Sequence, residues 1–124
     1  MRIAVVASDY HIVRVFELLL QSEQHSVTCF GKLAQLERSP RQFDLLIVDP
    51  GKPAEAEETL TRLATLRPEV RRIIVTGVYE NIALVRTQQL PVLFWPCSRR
   101  LFLALVEEQT APVLQTAEVT AHGT

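Results

Sequence analysis

One aspartate stands at the end of a short apolar run, at the point where the chain turns. Residues 45–48 are Leu, Leu, Ile and Val, and Asp49 follows them directly before Pro50 and Gly51. In parallel α/β sheets, ligands bind and chemistry occurs at the carboxyl ends of the strands. A carboxylate there can accept a phosphoryl group when a divalent cation and hydrogen-bond donors hold the phosphoryl oxygens. An aspartate before Pro and Gly also forms turns well, and on this second interpretation Asp49 has no chemical role.

Two further apolar runs end in polar residues of types that could assist such a carboxylate. Thr76, followed by Gly77, ends the fourth run of the chain, and Ser8 with Asp9 follows the first run, 3–7. A threonine hydroxyl can donate a hydrogen bond to a phosphoryl oxygen. Mg²⁺ requires hard oxygen ligands, and the first run supplies one hydroxyl and one carboxylate.

The elements that must position these residues alternate between strands and helices. Uninterrupted apolar runs predict parallel strands that are covered on both faces, and the segments between them predict helices. Only 16 positions separate Thr76 from Val92, which leaves room for a short or irregular fourth helix. The pattern predicts a three-layer α/β sandwich whose parallel sheet has the order 2-1-3-4-5. The strands are predicted at 3–7, 26–30, 45–48, 72–76 and 92–95, and the helices at 10–22, 32–37, 54–66, within 80–88 and at 99–109.

Length and composition predict one domain, residues 1–110, with a flexible tail or linker at 111–124. The net charge of -1 gives no reason to expect a nucleic-acid or membrane surface, although 11 of the 13 basic residues are Arg. No apolar run approaches the ~20 residues of a membrane span. Cys29 and Cys97 lie far apart, which argues against zinc and favours a reducing, cytoplasmic compartment.

These residues together resemble the receiver domains of response regulators. In that family an Asp at the end of the third strand accepts a phosphoryl group and a Pro follows four residues later, as Pro53 follows Asp49. A hydroxyl residue and a small residue end the fourth strand, as Thr76 and Gly77 do. A proline that is commonly cis follows the fifth strand and matches Pro96. The resemblance implies a flavodoxin-like (βα)5 fold.

The resemblance covers about residues 2–109 and shows two departures from the family. Receivers hold Mg²⁺ with an acidic pair after the first strand, where this chain has Ala7 and Ser8. Trp95 replaces the lysine before Pro96; its neutral N–H cannot neutralise a phosphoryl oxygen, and its bulk is expected to fill or cover the phosphate cavity. We therefore expect a degenerate receiver, or pseudo-receiver, that has no Mg²⁺ cofactor and is not an enzyme.

The last helix predicts a surface for a protein partner. Six apolar residues in succession, 101–106, cover every direction around a helix axis, so they cannot all face the sheet. Phe102 or Leu103 is therefore expected to be exposed, and receivers commonly dimerise through the fourth helix, fifth strand and fifth helix. The predicted contact surface comprises the segment 81–86 with Phe94, Arg86, Arg99, Phe102 and Leu103.

Three functional hypotheses follow. The favoured one is a phosphorylation-independent regulatory module for protein interaction or dimerisation in bacterial signal transduction. The second is a receiver that accepts a phosphoryl group on Asp49 with an atypical metal site. The third is a small α/β ligand-binding domain or enzyme, against which the absence of a glycine-rich phosphate loop argues.

Overall fold

Five strands and five helices alternate along the chain. The computed structural model describes residues 1–110, and the predicted tail at 111–124 lies outside them. The strands are β1 (Arg2–Val6), β2 (Ser26–Phe30), β3 (Leu45–Val48), β4 (Arg71–Thr76) and β5 (Val92–Phe94). The helices are α1 (Tyr10–Gln21), α2 (Leu33–Arg38), α3 (Pro53–Thr65), α4 (Tyr79–Thr87) and α5 (Arg99–Thr110).

All strand pairs are parallel, and the sheet has the order β2-β1-β3-β4-β5. This order confirms the predicted topology. It places β1 and β3 side by side at the centre of the sheet, with β2 and β5 at the edges. The carboxyl ends of all five strands therefore meet along one side of the sheet, where Asp49 and Thr76 lie.

Helices cover both faces of the sheet, which explains why the strands are apolar throughout. Successive side chains of a strand point to opposite faces. Leu45 and Ile47 accordingly belong to one cluster of buried residues, together with side chains of α1 and α5. Leu46 and Val48 belong to the other cluster, with side chains of α2, α3 and α4.

The fourth connection is short, as the sequence predicts. Helix α4 has nine residues and is a regular α-helix, and β5 has only three residues. Helix α3 begins at Pro53, where a proline costs no hydrogen bond because the first helical N–H has no partner within the helix. Within residues 1–110, no helix combines the length and the apolar character that crossing a membrane requires.

Helix α5 corrects the prediction that Phe102 or Leu103 is the exposed apolar residue. Phe102 and Val106 lie four positions apart on the side facing the sheet, and each is only 1% exposed. The Phe102 ring stacks on Phe16 with 4.8 Å between centroids. Leu103 is partly buried against the same cluster. The exposed apolar side chain of this helix is Leu101, at 52%.

Candidate functional site

Asp49 lies at the carboxyl end of the central strand, as predicted. Its N–H donates to the carbonyl of Val6 at 2.9 Å, which ties the residue to the end of β1. Its Oδ1 accepts from the N–H of Gly51 at 2.9 Å. Gly51 has φ 85°, a left-handed conformation that glycine adopts without a Cβ clash. The local sequence Asp-Pro-Gly thus forms a tight turn that fixes the carboxylate.

The end of β1 faces Asp49 without the acidic pair of the resembled family. Ala7 is buried and Ser8 is exposed, and both line a cavity of about 340 Å³ together with Asp49 and the exposed Lys32. Asp9 has another role: its carboxylate accepts from the N–H of His11 at 2.9 Å and caps α1. Asp9, the carboxylate nearest in sequence to Ala7 and Ser8, therefore serves as the N-cap of α1.

Thr76 is fully buried, and its hydroxyl belongs to a local network that sequence reasoning missed. Its Oγ1 accepts from the N–H of Val78 at 3.0 Å and from Nδ2 of Asn81 at 3.2 Å. The same Nδ2 donates to the carbonyl of Gly51 at 2.8 Å. Asn81, in the first turn of α4, therefore connects the Asp49 turn to Thr76.

Asn81 itself corrects part of the predicted contact surface. The segment 81–86 was expected to face a partner, but Asn81 and Val85 are fully buried. Oδ1 of Asn81 is buried and has no hydrogen-bond partner within residues 1–110, a condition that costs about 1–3 kcal/mol. The sequence feature that could have indicated a special role for position 81 is an asparagine within a predicted helix, because asparagine has a low helix propensity.

Trp95 does not cover the cavity beside Asp49, contrary to the prediction. Its ring packs edge-on against Phe16, with 4.8 Å between centroids, and against Phe102 at 6.0 Å. It therefore extends the buried cluster between the sheet and helices α1 and α5. A Cβ added at Gly77 would come 3.1 Å from the Trp95 carbonyl oxygen, which explains the small residue there. The peptide bond between Trp95 and Pro96 is cis, as predicted.

Two residues of the predicted contact surface lie on the other flank of α5. Arg99 forms an ion pair with Glu23 at 3.7 Å and donates to Oγ of Ser22 at 3.3 Å. Leu103 lines a cavity with Glu23 and His25. Both side chains face the C-terminal end of α1 and the start of β2. Their assignment to a surface with the fourth helix and fifth strand is therefore wrong.

Exposed apolar side chains occur on α4, on β5 and on the flank of α5 that faces away from α1. Tyr79 on α4 is 77% exposed and Phe94 on β5 is 42% exposed. Their rings meet edge-on with 6.0 Å between centroids. Leu101 points away from α1 because Leu103 and Arg99 occupy the α1 side. Arg86 is exposed at the end of α4.

No model of a known protein family matches the sequence, and no curated protein matches it. Solved structures do resemble it. A CheY-like response regulator receiver domain protein from Methanospirillum hungatei is 27% identical, covers 87% of this chain and 91% of its own, and has a TM-score of 0.73. Response regulator DrrB of Thermotoga maritima, an OmpR/PhoB homolog, is 21% identical with a TM-score of 0.70. An adenylate cyclase from Rhodopirellula baltica is 22% identical, covers 97% of this chain and 96% of its own, and has a TM-score of 0.69.

The chain has the fold of a response-regulator receiver domain. This finding confirms the resemblance drawn from Asp49, Thr76 and Pro96. The match to DrrB covers 86% of this chain and 51% of that one, so this chain spans about half the length of DrrB.

The side chains of this receiver fold are poorly suited to Mg²⁺. Asp9 caps a helix, so the end of β1 offers the cavity only the neutral Ser8 hydroxyl. The carboxylates that line the cavity are Asp49, whose Oδ1 accepts from Gly51, and Glu55. Within residues 1–110, no group of three or more His, Cys, Asp or Glu side chains is arranged to hold a metal ion. The residues present do not fit the cation, and the expectation that the chain uses no Mg²⁺ stays a prediction.

Burial raises the pKa of the Asp49 carboxyl above its usual value. The hydrogen bond from the Gly51 N–H lowers this pKa, and the Asp9 carboxylate raises it again. A carboxyl whose pKa is higher in the folded state binds more protons there than in the unfolded chain. The free energy of unfolding therefore falls as the pH rises from about 4, the unfolded value, through the folded pKa. Ionised Asp49 thus destabilises the fold at neutral pH.

Asp49→Asn should consequently be more stable than the wild-type protein at neutral pH. The asparagine keeps an oxygen that can accept from the Gly51 N–H and removes the partly buried charge. Urea unfolding over a pH series measures the difference in the free energy of unfolding. This difference should vanish below about pH 4, because the Asp49 carboxyl is then protonated in both the folded and the unfolded protein. Asp44→Asn, at an exposed aspartate, is the control and should bring no gain. A wild-type protein at least as stable as Asp49→Asn at neutral pH would contradict the account.

Proposed function

We propose that this chain is a regulatory module of bacterial signal transduction that acts through protein contacts and does not depend on phosphorylation of Asp49. The receiver fold supports a role in signalling. The observation that carries the second part is the direction of Trp95, which occupies the position of the family's lysine and packs on Phe16 and Phe102. No ammonium can reach a phosphoryl group from that position.

The end of β1 supports the same proposal. Phosphoryl transfer to a carboxylate requires neutralisation of the transferred oxygens by a metal ion or cations. Ser8 offers a neutral hydroxyl, and the Asp9 carboxylate is held by the first turn of α1. We further propose that the chain has no enzymatic activity and binds neither nucleic acid nor a membrane. We also propose that it is cytoplasmic.

The proposed partner is a second copy of the chain, bound through the face formed by α4, β5 and the adjoining flank of α5. Three exposed apolar side chains support this choice, namely Tyr79, Phe94 and Leu101. Burying a large apolar side chain contributes about 1.5–3 kcal/mol. Arg86, at the rim of this face, and Glu80, beside Tyr79, are both exposed and of opposite charge. Two copies related by a twofold axis can therefore pair these charges around the apolar centre.

Mass spectrometry after incubation with acetyl phosphate and Mg²⁺ tests the proposal. We expect no phosphoryl mass increment, because neither the metal ligands nor the lysine of the family is in place. Sedimentation before and after the incubation should show the same association state. Asp49→Asn is the matched control. A stoichiometric increment that disappears in Asp49→Asn would establish phosphorylation at Asp49 and overturn the proposal.

A further inference from the structure

Arginines gather at the edge of the sheet opposite Asp49. Because the strands are parallel, their amino ends meet along one edge, and the residues that open β1 and β4 lie there together with the connections that lead into β3 and β4. We call this group the amino-edge arginine surface. It comprises Arg2, Arg38, Arg41, Arg67 and Arg71.

Two arginines at this edge have a structural role. Arg72, 8% exposed, donates to the carbonyls of Leu63 and Val70 at 2.5 and 2.8 Å and to that of Arg67. Arg67 donates to the carbonyl of Ser39 at 2.7 Å and lies over the Phe43 ring, 5.4 Å from its centroid. Their hydrogen-bond partners are neutral carbonyls. Within residues 1–110 no carboxylate lies within ion-pair distance of Arg67, whereas the Glu69 carboxylate acts on the charge of Arg72.

The exposed Arg38 and Arg41 and the partly buried Arg71 also lack acidic partners. Arg41 donates only to the Thr28 hydroxyl at 3.4 Å, and within residues 1–110 no carboxylate lies within ion-pair distance of Arg38, Arg41 or Arg71. Arg2 approaches Asp44 at 3.8 Å, with both side chains about half exposed. Three of the arginines elsewhere do find acids, since Arg14 pairs with Glu17, Arg62 with Glu37 and Arg99 with Glu23.

Three arginines of this surface line two adjoining grooves. One, of about 400 Å³, is lined by residues that include Arg2, Arg67 and Glu69, and the other, of about 210 Å³, by residues that include Arg2 and Arg41. Both grooves share Gln42 and Phe43. An elongated segment with several negative charges fits this arrangement better than a single small ion, because the guanidinium groups lie along two joined depressions.

We propose that the amino-edge arginine surface binds an acidic segment of a partner protein. Guanidinium groups pair with carboxylates through two parallel hydrogen bonds, and the five arginines of this surface outnumber the two carboxylates in the larger groove, Asp44 and Glu69. A nucleic acid suits the surface less well because the chain as a whole carries a net charge of -1. This contact lies on the edge opposite Asp49 and is independent of the proposed function.

Nuclear magnetic resonance titration with an oligoglutamate peptide tests the inference. At low ionic strength we expect amide shifts confined to the residues around Arg41, Gln42 and Arg71, and much smaller shifts at about 0.3 M salt, where exposed charges are screened. The doubly substituted Arg41→Gln/Arg71→Gln should bind about two- to fivefold more weakly for each guanidinium removed. Neither side chain makes a hydrogen bond to buried groups, so this variant should keep the wild-type spectrum elsewhere.

The control is the double variant Arg14→Gln/Arg100→Gln, which removes the same charge from exposed positions elsewhere and should bind the peptide as the wild-type protein does. Equal weakening in both double variants would reduce the effect to net charge and overturn the inference. Absence of shifts at the amino edge would also overturn it. Tighter binding of oligothymidylate of the same formal charge would reject a protein segment in favour of nucleic acid.

Discussion

Phe102→Ala should lower the free energy of unfolding by about 3–5 kcal/mol. Phe102 is 1% exposed and lies between the Phe16 and Trp95 rings, so its removal leaves a cavity on the side of the sheet that faces α5. Side chains that rigid strands and a helix hold in place cannot collapse fully into that space. Urea unfolding of the wild-type protein and the variant measures the loss.

Leu101 is the matched control on the same helix. Leu101→Ala should change the free energy of unfolding by about 0.5 kcal/mol or less, because the side chain is 52% exposed. Leu101→Glu should keep that stability and shift sedimentation toward the monomer if α4, β5 and α5 form the dimer contact. Similar losses of stability in Phe102→Ala and Leu101→Ala would contradict the register of α5. A wild-type protein that is monomeric at high concentration would reject the dimer.

Ser8→Asp should give the chain a Mg²⁺ site. Position 8 lines the same cavity as Asp49 and Glu55, so an added carboxylate there would bring a third acidic ligand to the cavity. Two unit charges about 4 Å apart interact by about 4 kcal/mol near a protein surface. If one third of this interaction energy is realised, Ser8→Asp should bind Mg²⁺ about tenfold more tightly than the wild-type protein does. Calorimetric titration with Mg²⁺, or the shift of the melting temperature that Mg²⁺ causes, measures the gain.

Ser98→Asp controls for the added charge alone. Ser98 is exposed after β5 and does not belong to the cavity beside Asp49. We expect this variant and the wild-type protein to show no sub-millimolar Mg²⁺ binding. Equal Mg²⁺ affinity in Ser8→Asp and Ser98→Asp would show that position 8 does not face Asp49. Sub-millimolar binding by the wild-type protein would show instead that its own oxygens suffice.

The parts of the structure that depend on local patterns could be predicted from the sequence. Apolar runs with no polar interruption specify strands that are covered on both faces, and the helices between them force parallel pairing and the observed order. The position of Asp49 followed from the run 45–48, since a strand that ends at a buried valine must deliver the next residue to the sheet edge. The proline at position 96 predicted the cis peptide through the family resemblance.

The parts that depend on long-range packing could not be predicted. The direction of Trp95 is set by Phe16 on α1 and Phe102 on α5, which are distant in sequence and meet only in the fold. The flank of α5 that meets solvent depends on a rotation about the helix axis, and six apolar residues in a row carry no periodic signal for it. Asn81 was missed because its partners, the Thr76 hydroxyl at the end of β4 and the Gly51 carbonyl in the loop after β3, meet only in the fold.

The bridge made by Asn81 has a consequence for how the carboxyl edge opens. One side-chain nitrogen holds the loop after β3 through the Gly51 carbonyl and the end of β4 through the Thr76 hydroxyl, which also accepts from the Val78 N–H in the loop after β4. Movement of either loop away from α4 breaks a hydrogen bond of this one network. The two loops and the first turn of α4 therefore form one cooperative unit of local unfolding, with amide hydrogens that exchange together rather than loop by loop.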